Sequence, residues 1–230
     1  FPDEREKRKT RQEQLKCVLV RLLKIFDYIC KKHDIDYWLD YGTLLGAIRQ
    51  KGFIPWDNDI DIGILRADYE LFLEKGVKEL PRDIFFQNGD TDPGMASFSW
   101  LVEARLRDRY SNYLETVKTM GNSVNWHNGI QLDFFVYDQD PIYENAISNS
   151  FERNLTNSRI HLLIDEIEML DEACFEGNIY PVPVGYHDYL QRCYGDYMEL
   201  PPEKDRKYPL VDILHPCDHP ESLQWKGIND

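Results

Sequence analysis

The chain has 230 residues, of which 42% are hydrophobic and 13% aromatic. This composition suits one domain of fair size with a packed core, and it argues against a disordered chain. The net charge of −14 argues against binding nucleic acid through its phosphates, and no apolar run approaches the length of a transmembrane helix. The five cysteines are widely spread and contain no CxxC pair, so neither a redox pair nor a zinc ribbon is indicated.

The N-terminal part of the chain predicts a charged segment followed by a long helix. Residues 1–10 are rich in charge and are expected to form a loose linker or stem. Apolar residues then recur at helical spacing between Leu15 and Cys30, which predicts an amphipathic helix ending near His33. A short strand is expected over residues 37–39, immediately before Gly42.

The dipeptide Gly42-Thr43 stands before a second predicted helix, which is expected to begin around Leu44. Glycine lets a backbone approach a phosphate closely, threonine offers a hydroxyl, and a helix start offers free N–H groups. An ordinary strand-to-helix turn uses the same residues, so the dipeptide alone does not establish phosphate binding. Arg49 and Lys51 are either further phosphate contacts or cations that satisfy the end of the helix dipole.

Three carboxylates spaced two residues apart lie further along the chain, those of Asp57, Asp59 and Asp61. Residues 54–64 predict a strand, in which alternate side chains share a face, so Asp59 and Asp61 point the same way. Two carboxylates held this close repel each other unless a cation lies between them. Ligands that are all oxygen favour Mg²⁺ (or Mn²⁺) working with substrate phosphates. A solvated acidic turn explains an isolated Asp-x-Asp, but Gly-Thr upstream favours the metal site. Asp57 is either a ligand or a residue that orients one.

The middle of the chain predicts a short helix and three strands. The helix begins at residue 66 and runs through Leu73, and the strands are expected over residues 84–86, 98–102 and 129–137. Further along, residues 141–165 predict a mostly helical stretch, residues 160–170 continue an amphipathic pattern, and residues 186–194 predict another helix. Prolines punctuate the last third, which is expected to wrap the core as a cap.

Two features of these strands bear on phosphate chemistry. Asp133 lies inside an apolar run, where an unpaired acid would be costly, so we expect it to meet a metal or hydrogen-bond donors. Residues 103–109 alternate charged and apolar side chains, so Arg105, Arg107 and Arg109 would share one strand face. They would form either a clamp for a diphosphate or a solvated face paired with nearby acids.

The tail contains a group of potential metal ligands, His215, Cys217 and His219. Their spacing fits no standard zinc finger, and the prolines at 216 and 220 predict a turn-rich tail. We therefore expect no metal there, although the sequence leaves the point open.

Two segments of the chain carry motifs of a known family. The first comprises residues 37–49, YWLDYGTLLGAIR, and residues 52–61, GFIPWDNDID. The second comprises YPVP at 180–183, YGDY at 194–197 and LPP at 200–202. These segments closely resemble the LicD family, which includes bacterial phosphocholine transferases and the animal fukutin and fukutin-related ribitol-phosphate transferases. Between them, LDFF at 132–135 resembles the segment that carries the family's third carboxylate. The resemblance runs from about Leu15 to Arg206, so we expect a catalytic domain over residues 11–206 and a tail over 207–230.

The resemblance implies an α/β (α+β) fold, a nucleotidyltransferase-like mixed sheet flanked by helices with a C-terminal helical and loop cap. In that superfamily, Gly-Ser or Gly-Thr, a short helix, Asp-x-Asp and a later acid form the site. Gly42-Thr43, Asp59, Asp61 and Asp133 match this pattern. The implied catalytic residues are the three aspartates, and Asp57 joins them as a metal ligand. The implied substrate-binding residues are Gly42, Thr43, Arg49, Arg105 and Arg107.

The implied activity is metal-dependent transfer of a phospho-substituent from a CDP-linked donor to a glycan hydroxyl. A choline head would need an aromatic cage, for which the candidates by residue type are Trp38, Trp56, Trp100, Trp126 and Tyr110. Ribitol would need paired polar groups instead, and we slightly favour phosphocholine. The alternatives are nucleotide transfer from a nucleoside triphosphate and a nonenzymatic nucleotide-binding module.

The sequence leaves the acceptor, the oligomeric state and the compartment open. A Golgi lumen location is expected for a secretory eukaryotic protein and a cytoplasmic one for a bacterial protein. Membrane association through a segment outside this sequence also stays open. The family's cysteine-rich zinc insertion, found in the fukutin-related protein, has no evident counterpart here.

Overall fold

The computed structural model describes residues 1–94, 101–114, 126–206, 210–219 and 221. The strands are, in chain order, β1 (Trp38–Leu39), β2 (Ile60–Leu65), β3 (Ile84–Gln87), β4 (Ala104–Asp108), β5 (Asn112–Tyr113), β6 (Gln131–Gln139), β7 (Ala146–Ser148), β8 (Leu162–Leu163), β9 (Leu170–Phe175), β10 (Asn178–Pro183) and β11 (Val211–Asp212). The helices are α1 (Arg11–His33), α2 (Tyr41–Gln50), α3 (Arg66–Leu71), α4 (Ser150–Thr156), α5 (Ile164–Ile167) and α6 (Tyr186–Tyr194).

A seven-stranded mixed sheet organises the described residues. Five strands follow the order β1-β2-β6-β4-β3, while β7 pairs with β6 and β8 pairs with β7. β2 and β6 run parallel, and the other pairs are antiparallel. Separate two-stranded sheets join β9 to β10 and β5 to β11. A mixed sheet flanked by helices is the fold class that the sequence predicted.

Helix α1 covers the sheet and confirms the amphipathic pattern. Thr10 caps its start, because its hydroxyl accepts the Glu13 N–H while the Glu13 side chain accepts the Thr10 N–H. Its apolar stripe is fully buried, and the ring of Phe26 packs on Phe134 of β6 at 5.1 Å between centroids. The helix ends where Asp34 adopts a left-handed backbone.

The predicted linker at residues 1–10 is attached to the domain through Arg5. Its side chain is fully buried, and its Nη1 donates to Asp108 Oδ2 at 2.9 Å and to the Ile213 carbonyl at 2.9 Å. One arginine thus joins the N-terminal segment, the end of β4 and the tail. The expectation of a loose segment is wrong at this residue, because its partners lie more than a hundred residues away in sequence.

Several predicted elements differ from the structure. Residues 54–59 precede the strand instead of belonging to it, since β2 begins at Ile60. Residues 141–165 contain β7, α4 and β8 instead of a mostly helical stretch, because β7 pairs with both β6 and β8. The amphipathic pattern at 160–170 supports only the four-residue α5. Of the strand predicted at 98–102, residues 98–100 lie outside the described ranges, and 101 and 102 are not in a strand.

The C-terminal cap contains a hairpin that the sequence analysis missed. β9 and β10 are joined by Glu176 and Gly177, both with positive φ, which is the geometry of a tight two-residue hairpin turn. The predicted helix at residues 186–194 is confirmed as α6. Among the described residues, no helix combines the length and apolar character needed to cross a membrane.

Candidate functional site

Three adjacent strands place Asp61, Asp133 and Arg105 in one row. Asp61 lies opposite Asp133 in the parallel pair β2–β6, and Arg105 lies opposite Asp133 in the antiparallel pair β4–β6. Residues in register across neighbouring strands project from the same face of a sheet. Ile60 and Ile62 alternate with Asp61 and are fully buried, so they anchor β2 in the core and fix the direction of the carboxylate.

Asp59 completes a compact group of carboxylates one residue before β2. One oxygen each from Asp59, Asp61 and Asp133 lies within 4.8 Å of the other two. Asp57 joins the group because its carboxyl hydrogen-bonds with that of Asp59. At Gly42, an added Cβ would lie 2.7 Å from Asp57 Oδ2 and 3.4 Å from Asp61 Oδ2. Only glycine fits there without displacing the acids, so Asp57 and Asp61 can lie directly against the start of α2.

The electrostatics of this group favour a bound cation. Burial, followed by the charges of neighbouring carboxylates, raises the pKa of Asp59 and Asp61 well above the usual range. Burial also raises the pKa of Asp57. Oxygen ligands of an octahedral Mg²⁺ are about 3 Å apart when adjacent and about 4.2 Å apart when opposite, so carboxylate oxygens within 4.8 Å of one another need to approach by at most about 2 Å. The donor set therefore fits Mg²⁺, which Asp59, Asp61 and Asp133 would hold, with Asp57 beside them.

The first turn of α2 lies directly against the carboxylates. The Gly42 N–H donates to Asp61 Oδ2 at 3.1 Å, and the Asp61 N–H donates to Thr43 Oγ1 at 2.8 Å. The helix begins at Tyr41, three residues earlier than predicted, so Gly42 and Thr43 belong to the helix and not to a turn before it. Tyr41 has a φ of 37°, a strained value for a residue other than glycine.

A buried network of hydroxyl groups fixes this strained start, and the sequence analysis missed it. Asp40 caps α2 and accepts hydrogen bonds from the hydroxyls of Tyr137 at 2.8 Å and Tyr189 at 2.9 Å. The Tyr41 hydroxyl donates to Glu152 Oε1 at 3.0 Å. Burial raises the pKa of Asp40 to about 6 and that of Glu152 to about 9. Asp40 before Gly-Thr was the available signal, since aspartate is a preferred N-cap.

A second set of contacts supports Asp133. Arg105 Nε lies 2.8 Å from Asp133 Oδ1, and Gln131 Nε2 donates to Asp133 Oδ2 at 2.8 Å. Arg107 is buried in the same sheet, where it donates from Nε to Gln87 Oε1 at 2.7 Å and from Nη1 to Gln131 Oε1. Arg105 is therefore beside the carboxylates, whereas Arg107 reaches Asp133 only through Gln131.

Arg49 lies at the opposite end of α2 from Gly42, about 10 Å along the helix axis at 1.5 Å per residue. Its Nη1 donates to the carbonyl oxygens of Tyr197 at 3.0 Å and Glu199 at 3.5 Å. The structure therefore places this guanidinium on the loop after α6.

The aromatic residues considered for a choline cage do not form one in the described part of the chain. Trp38 packs so closely on Gly63 that a Cβ added to Gly63 would lie 2.2 Å from the Trp38 ring. Tyr110 and Trp126 are also buried. Trp56 lies beside the acids in sequence, and the Arg206 guanidinium already covers its ring at 5.1 Å. Trp100 lies outside the described residues.

Comparison with known proteins agrees with this architecture. Residues 34–184 match the family described as LicD/FKTN/FKRP, nucleotidyltransferase domain, and this stretch contains all four aspartates of the site. Lipopolysaccharide cholinephosphotransferase LicD of Haemophilus influenzae is 26% identical over 261 aligned residues, which span 86% of this chain and 94% of that protein.

Two animal proteins match over shorter stretches. Ribitol 5-phosphate transferase FKRP of Homo sapiens is 53% identical over 34 residues, or 15% of this chain and 7% of its own length. Ribitol-5-phosphate transferase FKTN of Mus musculus is 41% identical over 49 residues, or 21% of this chain and 11% of its own length. Because the family match covers more than half of the 230 residues, the chain belongs to the LicD family.

Proposed function

We propose that this protein transfers phosphocholine from a CDP-linked donor to a hydroxyl of a glycan. In this reaction the acceptor oxygen attacks the phosphorus that carries choline, and the bond from that phosphorus to the bridging oxygen breaks. CMP leaves with the bonding electrons, and the proton of the acceptor hydroxyl is released. The products are CMP and a glycan phosphodiester.

The observation that carries the proposal is the group of oxygens from Asp59, Asp61 and Asp133 within 4.8 Å of one another. A divalent cation held there would neutralise charge on the donor diphosphate and on the leaving CMP. Asp59 and Asp61 bind the cation in this proposal, and Asp133 completes the set. A carboxylate oxygen that accepts one hydrogen bond still has a lone pair for another partner. The contacts with Arg105 and Gln131 therefore leave Asp133 able to bind the cation.

In this proposal the other predicted residues support the carboxylates and the donor. Gly42 allows Asp57 and Asp61 to lie against the start of α2, because a side chain at this position would displace them. Thr43 holds β2 to α2 through the Asp61 N–H. Arg105 lies 2.8 Å from Asp133 and can contact the donor phosphates while it orients this carboxylate.

Similarity across nearly the whole bacterial relative supports phosphocholine as the transferred group and a glycan as the acceptor. That relative is named a lipopolysaccharide cholinephosphotransferase, and the alignment includes 86% of this chain. The matches to the ribitol-phosphate transferases cover 15% and 21% of the chain. Ribitol phosphate is therefore the group to test second.

The experiment is product analysis by mass spectrometry with CDP-choline, CDP-ribitol and a panel of lipopolysaccharide acceptors in the presence of Mg²⁺. We expect CMP and an acceptor heavier by phosphocholine. Asp59→Asn should abolish both products, while Asp138→Asn is the matched control, since Asp138 lies at the far end of β6 and pairs with Arg66. An acceptor carrying CMP, or the same turnover in Asp59→Asn, would contradict the proposal.

A further inference from the structure

A second group of potential metal ligands is formed by segments of the chain that do not carry the carboxylates. One ligand atom each from His127, His219 and Glu221 lies within 4.8 Å of the other two. His127 comes from the segment before β6, and the other two residues come from the tail after β11. The sequence analysis considered His215, Cys217 and His219 as one motif. The structure separates them, because His215 pairs with Asp212 and Cys217 Sγ accepts the Asn128 N–H at 3.3 Å.

We propose that His127, His219 and Glu221 bind Zn²⁺, which fastens the C-terminal tail to the sheet. Two imidazoles and one carboxylate are a typical donor set for zinc, with a fourth position left for water. His127 Nε2 and Glu221 Oε2 are 3.3 Å apart. Two ligands at 2.0–2.1 Å from a tetrahedral zinc are separated by about 3.3 Å, so this pair is already at coordination distance.

The neighbours of the site hold the ligands in place. The His127 ring is buried, and it packs between Phe85 at 3.9 Å and His219 at 4.1 Å between ring centroids. Arg109 Nη1 lies 3.0 Å from Glu221 Oε1, the oxygen that does not face His127, and thereby orients the carboxylate. A partner on the outer oxygen of a ligating carboxylate is common around zinc.

The proposed zinc would add to the contacts that already join the tail to the domain. These contacts include the two-residue pair β11–β5, the hydrogen bond from Arg5 to the Ile213 carbonyl and the hydrogen bond from the Asn128 N–H to Cys217. A metal bridging residue 127 and residues 219 and 221 closes a long loop, which favours the folded state through chain entropy.

The test uses the full chain without a histidine tag, stripped by a chelator and titrated with Zn²⁺ against a competing chelator. We expect one zinc per chain and a higher melting temperature with zinc. His219→Ala should weaken zinc binding at least tenfold, as should Glu221→Gln, which keeps the size of an exposed side chain. His215→Ala is the matched control, because His215 is exposed and pairs with Asp212 in the same tail.

Co²⁺ in place of Zn²⁺ gives an independent readout, since a tetrahedral cobalt site absorbs visible light. We expect that absorption in the original protein and in His215→Ala, and its loss in His219→Ala. Equal zinc affinity in His219→Ala and His215→Ala, or no bound zinc in the original protein, would overturn the proposal. Retention of zinc by Asp61→Asn would show that the ion is not held by the carboxylates.

Discussion

Replacing Asp61 by asparagine should stabilise the metal-free protein, although it removes a central residue of the site. Asp61 is held among other carboxylates, and burial and their charges raise its pKa well above the usual value. A raised pKa of an acid in the folded state means that stability is present at low pH and is lost as the pH rises through that pKa. At neutral pH the metal-free site therefore costs stability, and Asp61→Asn relieves that cost.

The distance between the carboxylates sets the magnitude. Two unit charges separated by the observed limit of 4.8 Å repel by about 3.5 kcal/mol at an effective dielectric constant near 20. Uptake of a proton by the group reduces this repulsion, so we expect a net gain of about 2 kcal/mol. For a chain of this size, that gain corresponds to a rise of about 4 to 8 °C in Tm.

Thermal unfolding near neutral pH, with a chelator and then with excess Mg²⁺, checks this prediction. The original protein should gain stability from Mg²⁺, whereas Asp61→Asn should start higher and gain little. Asp138→Asn is the control on the same sheet, and it should destabilise, because Asp138 pairs with Arg66. An Asp61→Asn variant that melts below the original protein in chelator, and still responds fully to Mg²⁺, would refute the reasoning.

Three further predictions concern the supports of the site. Asp133→Asn should lower turnover by orders of magnitude in a CMP-release assay, and a marginal loss would make Asp133 structural. Arg107→Ala should lower kcat more than donor affinity, because Arg107 acts on Asp133 through Gln131; a pure loss of donor affinity in titration would restore a direct phosphate contact. Glu152→Gln should raise the free energy of unfolding at pH 7 and should flatten the decline of stability between about pH 4.5 and pH 9, since the unfolded chain ionises this carboxyl above its usual pKa of 4.5 whereas burial raises its pKa in the folded protein to about 9. Urea unfolding across this pH range measures the decline, and an unchanged pH profile would contradict it.

The elements predicted well are those in which local pattern and tertiary packing agree. α1 has a capping box, a continuous apolar stripe and a left-handed end, so its periodicity sufficed to place it. The helix at 186–194 was predicted with its observed bounds for a similar reason. The strands carrying Asp61 and Asp133 were also anticipated, because isoleucines alternate with Asp61 and an apolar run surrounds Asp133.

The wrong or missed predictions concern segments whose structure depends on contacts with residues far away in the sequence. The amphipathic segment at 160–170 is split because Leu162 and Leu163 pair with β7. The burial of Arg5 depends on Asp108 and on the tail, which no local pattern reveals. The hydroxyl network around Asp40 likewise joins residues from β6 and α6, and only its N-cap was visible in the sequence.

The candidate site was partly predictable for a physical reason. Spacing alone placed Asp59 and Asp61 together, and the cost of burying Asp133 indicated a partner for it. The sequence did not indicate which arginine would reach the acids, because Arg105 and Arg107 are two residues apart and therefore project from the same face of β4. Their partners differ only through register, which sets Arg105 opposite Asp133 and Arg107 opposite Gln131.

The most direct test of the central claim is isothermal titration of the protein with CDP-choline, in the presence and absence of Mg²⁺. If Asp59, Asp61 and Asp133 hold a cation against the donor diphosphate, CDP-choline should bind only with Mg²⁺, and Asp61→Asn should abolish that dependence. Equal affinity with and without Mg²⁺, or binding of CTP and ATP with no binding of CDP-choline, would contradict the account.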